Sequence, residues 1–146
     1  MTASRADVVR VARSYMLTPF HHMERQPGLA LDCAGVVICV ARELGLVPPD
    51  FDVPAYTPSP DGSMLEWCDR YMTRLARGSE QAGDVLVAAI DLDPQHLCIL
   101  GDYKHGGLSI IHAASRRDGT GVVVETRLMY SRVLKFVAAY ALPGVA

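Results

Sequence analysis

After Gly83 the sequence changes texture, and that change constrains the fold more than any other feature. Residues 85–90, 97–100, 109–113, 122–126 and 134–142 form short β-rich runs. They are separated by Asp93-Pro94, by Asp102 with Gly106-Gly107, and by Asp118-Gly119, all of it turn chemistry. Connections this short favour antiparallel neighbours, because parallel strands need a crossover of a dozen residues or more. The first half reads as helices. Helices followed by a run of strands predict an α+β fold, with the most apolar helix packed on an antiparallel sheet of about five strands.

Ser4 can cap a first helix, in which Val8, Val9, Ala12, Tyr15 and Met16 follow helical spacing until Thr18-Pro19 ends it. A loop with Pro27-Gly28 leads to Asp32. A second helix is expected over 33–44, with Gly45 just past its end. It is apolar on most faces (Val36, Val37, Ile38, Val40, Ala41, Leu44), which marks it as the central buried helix. Residues 48–61 carry five prolines and little periodicity, so they read as a long ordered loop. Ser63-Met64-Leu65-Glu66 has the capping-box pattern and opens a third helix, closed at Gly78, whose Trp67, Tyr71 and Met72 read as core.

A length of 146 residues suits one compact domain spanning 1–146, long enough to bury a core without staples. With 50% hydrophobic and 21% charged residues, the composition is that of a soluble globular chain. The net charge of -2 makes no electrostatic case for nucleic acid or for an acidic membrane surface. Met1 to Asp7 lacks a long apolar stretch, so neither a secretory signal nor a membrane anchor is expected. The expectation is synthesis in the cytoplasm, with another carrier if the protein acts outside it. Cys39, Cys68 and Cys98 sit among apolar residues, where a reduced cysteine behaves as a small hydrophobe. No Cys-x-x-Cys pair supports a structural zinc, and no cofactor is expected.

Cys33 differs from the other three. Leu31-Asp32-Cys33-Ala34-Gly35-Val36-Val37 places it where a glycine-bearing loop turns into the apolar helix. A helix start presents unpaired N–H groups and the positive end of the macrodipole, which favours the thiolate, the nucleophilic form. Such a nucleophile needs a base within hydrogen-bond reach, and the base needs an orienting partner. His96 begins one β-rich run and His112 lies near the end of the next. If those runs pair antiparallel the two rings are neighbours, and His112 can fix the tautomer of His96 while His96 takes the Cys33 proton. Each residue also has a plainer reading, as a packed thiol or a satisfied core histidine.

The wider sequence carries a resemblance. Asp32-Cys33-Ala34-Gly35-Val36-Val37 resembles the nucleophile motif of the NlpC family of papain-like cell-wall cysteine peptidases. Residues 12–20 resemble that family's first helix and following turn, and 40–46 the end of the nucleophile helix in its bacteriophage-tail branch. Ala82-Gly83-Asp84-Val85-Leu86 is similar to its Pro-Gly-Asp-Leu strand opening. Gln95-His96-Leu97-Cys98-Ile99 is similar to the strand carrying the base, and Ile111-His112-Ala113 to the strand carrying the third polar residue. The tail, 137–143, is similar too, so the resemblance covers nearly the whole chain.

The resemblance implies a papain-like α+β fold and hydrolysis of an amide bond in peptidoglycan stem peptides, typically γ-D-glutamyl to diaminopimelate or lysine. It assigns Cys33 as nucleophile, His96 as base and His112 as orienting residue, with an acyl-enzyme between the two half-reactions. The Cys33 backbone N–H would serve the oxyanion, Asp32 would cap the helix, and Gly35 would keep the turn after the nucleophile uncluttered. A phage tail or tail-derived particle as carrier, with tail proteins as partners, would account for a wall enzyme without a signal peptide. Two positions depart from the pattern. Phe20 stands where the family often has a tyrosine, leaving His21 or His22 as a substitute donor or as a loop histidine, and Ala34 replaces the commoner serine. Arg25, Arg116 and Arg117 read either as solvated loop charges or as partners for stem-peptide carboxylates. The competing readings are a non-catalytic tail component that keeps the fold, and a metal site made from Cys33, His96 and His112.

Overall fold

The computed structural model describes residues 2–57, 61–90, 93–116, 118 and 120–146. Arg117 and Gly119, and Pro58 and Pro60 of the proline-rich segment, lie outside the described residues. The architecture is α+β and papain-like, as expected. Among the described residues three helices, α1 (Arg5–Ser14), α2 (Cys33–Glu43) and α3 (Ser63–Tyr71), accompany a two-stranded and a six-stranded antiparallel sheet. The small sheet pairs β1 (Arg25–Gln26) with β2 (Ala30–Leu31) around the Pro27-Gly28 turn.

The large sheet contains β3 (Thr73–Leu75), β4 (Val85–Ile90), β5 (Asp93–Asp102), β6 (Leu108–Ala113), β7 (Val123–Arg127) and β8 (Leu134–Ala141). Its order is β3-β8-β4-β5-β6-β7, so the long strand β5 is flanked on both sides. Five of these strands coincide with the runs seen in the sequence; β3 is additional. The β5–β6 turn is closed by Tyr103 N–H donating to the Gly107 carbonyl at 3.0 Å. Gly106 and Gly107 hold φ of 95° and 77° there, a backbone region that side chains disfavour. Asp93-Pro94 is not a turn: Asp93 pairs with Ile90 and opens β5, and Pro94 follows where the β4–β5 register shifts, a bulge being a place in a sheet that tolerates proline.

Side-chain alternation divides the sheet's two faces. Val85, Val87, Leu97, Ile99, Ile111, Ala138 and Tyr140 pack with the buried sides of α1 and α2. Leu86, Ala88, Cys98, Leu100, Ile110 and Leu134 form a second, smaller cluster. Helix α2 is buried from Ala34 through Ala41, the expected central helix. Helix α1 starts on a capping box between Ser4 and Asp7, but it ends at Ser14, and Met16 turns outward. Tyr15 then bonds Glu43 at 2.6 Å, tying the end of α1 to the end of α2.

Helix α3 departs most from expectation. Gly62, left-handed at φ 89°, is its N-cap, and the Ser63 hydroxyl bonds Asp61 at 2.5 Å rather than capping. The helix stops at Tyr71, not Gly78, because Met72 is extended and 73–75 join the edge of β8. Only Cys68 of α3 is fully buried. Trp67 and Met72 are half-buried and Tyr71 is exposed, so they are less core than their chemistry suggests. They border an apolar cavity of about 70 Å³ between α2 and α3, lined also by Ala34, Ile38 and Leu97.

Candidate active site

Cys33 is the first residue of α2 and is half-buried, packed against the helix-side core. Its position is set by Asp32. That carboxylate accepts from the Gly35 N–H at 2.7 Å, the Met23 N–H at 2.8 Å and Arg25 Nη1 at 2.8 Å. It also accepts a short bond from the Tyr56 hydroxyl. Burial and the adjacent carboxylate push the Tyr56 phenol up, so it remains a donor. Asp32 is therefore the N-cap and the centre of a buried polar cluster, with its oxygens fully engaged.

Gly35 has a steric role. A Cβ there would sit 2.6 Å from the Glu24 carbonyl oxygen, so only glycine lets the loop close over the first turn of α2. Ala34 is buried and faces the apolar cavity. Arg25 is not a free loop cation: its side chain is 8% exposed and is held by Asp32, by Asp52 at 3.3 Å and by the Tyr56 hydroxyl at 2.8 Å. Arg116 is exposed. His22 bonds the Tyr56 carbonyl at 3.0 Å and meets that ring edge-on, whereas His21 is exposed with Nδ1 3.3 Å from the His22 carbonyl. Phe20 is half-buried against the core.

The two strand histidines meet as the antiparallel pairing predicts. His96 Nε2 lies 2.6 Å from His112 Nδ1, with the ring planes at 86°. Both are buried, at 7% exposure. Burial pushes both imidazoles down, and the neighbouring His96 pushes His112 further, so the pair is neutral at pH 7. A neutral pair shares one proton across the contact. With that proton on His96 Nε2, His112 Nδ1 accepts, and His96 Nδ1 keeps a lone pair for a second partner.

Cys98 joins them, which the sequence reading did not foresee. It is two residues beyond His96 on the same strand face, and its sulfur and the histidine nitrogens all lie within 4.8 Å of one another. The spacing His96-x-Cys98, with a second histidine, His112, on the neighbouring strand, was the available signal. Cys98 is fully buried and its thiol is pushed well up, first by burial and then by the charge of Cys33. Cys68 is pushed up to about 12, chiefly by burial, with Cys33 contributing. The charge of Cys33 thus reaches Cys98 and Cys68, whereas the shifts of His96 and His112 come from burial and from each other.

No protein-family model matches this sequence, and no curated protein matches it either. A solved structure does share the fold: an N-acetylmuramoyl-L-alanine amidase from Bacteroides uniformis. The two superpose with a TM-score of 0.56 over 95% of this chain and 98% of that one, at 13% sequence identity. The architecture is therefore one that a solved N-acetylmuramoyl-L-alanine amidase also adopts.

Proposed function

We propose that this chain is a cysteine hydrolase of peptidoglycan, cleaving an amide bond in or beside the stem peptide. The observation that carries the reading is the neutral, buried His96–His112 pair at 2.6 Å, on a fold whose central helix begins at Cys33. The fold shared with a structure described as a muramoyl-alanine amidase supports the substrate class.

In this mechanism His96 Nδ1 takes the Cys33 proton while His96 Nε2 donates to His112. The Cys33 sulfur attacks the amide carbonyl, and the Cys33 backbone N–H at the helix start stabilises the oxyanion. Protonated His96 gives its proton to the leaving amine, leaving an acyl-enzyme. Water deprotonated by His96 then attacks the thioester, and collapse releases the acid and the Cys33 thiolate. The cavity beside Ala34 offers an apolar wall to the substrate near the nucleophile. Release at the wall from a phage tail or tail-like particle belongs to the same proposal and follows the tail-branch resemblance.

Two substrates separate the bonds: a γ-D-glutamyl-diaminopimelate peptide, and a muramoyl peptide whose first amide joins muramic acid to L-alanine. Purified protein is expected to cleave the first; cleavage of the second alone reassigns the bond. Cys33→Ala is expected to lower the rate by roughly 10⁴-fold or more, as for loss of other covalent nucleophiles. Cleavage that survives Cys33→Ala sinks the mechanism. Inertness toward both substrates, with Cys33 unreactive to iodoacetamide at neutral pH, favours a structural tail component.

A further inference from the structure

We propose that His96, Cys98 and His112 form a binding site for one borderline-soft divalent cation, with zinc(II) as the ion of best fit. The three donor atoms lie within 4.8 Å of one another, on two adjacent strands of the sheet. Two imidazole nitrogens and a thiolate are a ligand set zinc accepts at bond lengths of about 2.0–2.3 Å. Tetrahedral coordination at those lengths sets donors about 3.3–3.6 Å apart. The histidine nitrogens, now 2.6 Å apart, must open by somewhat less than about 1 Å, and Cys98 must close by a comparable amount.

The surroundings suit such a site. Leu86, Leu100 and Ile110, all buried, surround Cys98 with apolar side chains, and a dry shell strengthens metal–ligand attraction. On binding, Cys98 releases its thiol proton to solvent and becomes the sulfur ligand. His96 binds through Nε2 and His112 through Nδ1, so each ring keeps its single proton on the opposite nitrogen. A water would complete the four-coordinate shell.

That proton placement has a consequence. Metal-bound His96 carries its proton on Nδ1, the nitrogen that otherwise receives the Cys33 proton. An occupied site therefore switches off the base, an effect that rests on the hydrolase reading, whereas metal binding itself does not.

Cobalt(II) added to chelator-treated protein tests the site. We expect one equivalent to bind with a thiolate-to-metal charge-transfer band and tetrahedral d–d absorption, displaced by zinc. The band should persist in Cys33→Ala and in protein alkylated at Cys33, and should vanish in Cys98→Ala. No band in the wild-type protein overturns the proposal; so does a band that is lost with Cys33 and kept without Cys98. If Cys98→Ala fails to fold, the Cys33-alkylated protein decides alone, because a thiolate band there can come only from a buried cysteine and must disappear in His112→Ala. In the hydrolysis assay, stoichiometric zinc should inhibit the wild type at least tenfold more than Cys98→Ala. Equal inhibition overturns the switch, and absence of hydrolysis without metal counts against the hydrolase reading and leaves the cobalt result standing.

Discussion

At the residue scale, the placement of Cys33 depends on the neighbouring carboxylate of Asp32. Asp32 caps α2, but it also receives Arg25 and Tyr56 from segments that the sequence leaves without periodicity. The Arg25–Asp32 pair is almost fully buried, at 8% and 4% side-chain exposure. Removing one partner of such a pair costs about 3–5 kcal/mol, because the other charge stays desolvated. Asp32→Asn is expected near the low end of that range, since Asp52 remains 3.3 Å from Arg25 Nε. Urea denaturation with an unchanged m-value checks it, and a loss under about 1 kcal/mol would show the pair to be dispensable. Cys33 at a capped helix start and the meeting of His96 with His112 were legible because their signals are local: a cap residue, and matching ends of consecutive strands. Tyr56 was not. Its hydroxyl supplies a donor beside the helix start, yet it arrives from the proline-rich segment, and only the folded chain brings it to Asp32.

At the element scale, two sequences with the same capping pattern end differently. Ser4 accepts from the Asp7 N–H at 3.1 Å while Asp7 returns a bond to the Ser4 N–H at 3.0 Å, a reciprocal cap. Ser63 has Glu66 at the same spacing but sits one position inside its helix, behind Gly62. Ser4→Ala should therefore cost about 1 kcal/mol, the usual loss of an N-cap. Ser63→Ala should stay within about 0.5 kcal/mol, because the half-buried Ser63 side chain caps no helix N–H. Paired thermal melts measure both; equal losses would mean that the pattern, not the placement, governs the cap. The same limit explains β3. Residues 73–75 have no alternation long enough to read, and they are extended because β8 offers an edge and Arg74 reaches Asp69 and the Tyr140 hydroxyl. The other large-sheet strands were legible because each is bounded by turn residues and long enough to show its period.

At the scale of the whole molecule, the sheet does two things at once. One face builds the core with α1 and α2, and the other carries a smaller apolar cluster that includes Cys98. Fold class was readable from texture alone, since helices and strands segregate along the chain. The pairing order, with β8 inserted between β3 and β4, was not, because nothing local in a strand names a partner so distant in sequence. Burying two neutral imidazoles in that sheet couples the chemistry to global stability. Both native values lie below the unfolded value of about 6.5, chiefly through burial. As pH falls below about 6.5 the unfolded chain takes up protons that the native pair refuses, so the stability present above that pH is lost toward the native values. Between pH 7 and 5 each imidazole that stays neutral should remove about 2 kcal/mol. Chelator-treated protein should therefore unfold at markedly lower urea at pH 5, and the double variant His96→Gln/His112→Gln should lose most of that dependence. A wild-type midpoint that does not move across this window would mean that the pair is charged or solvated in the native protein, and His96 could not then be the neutral base.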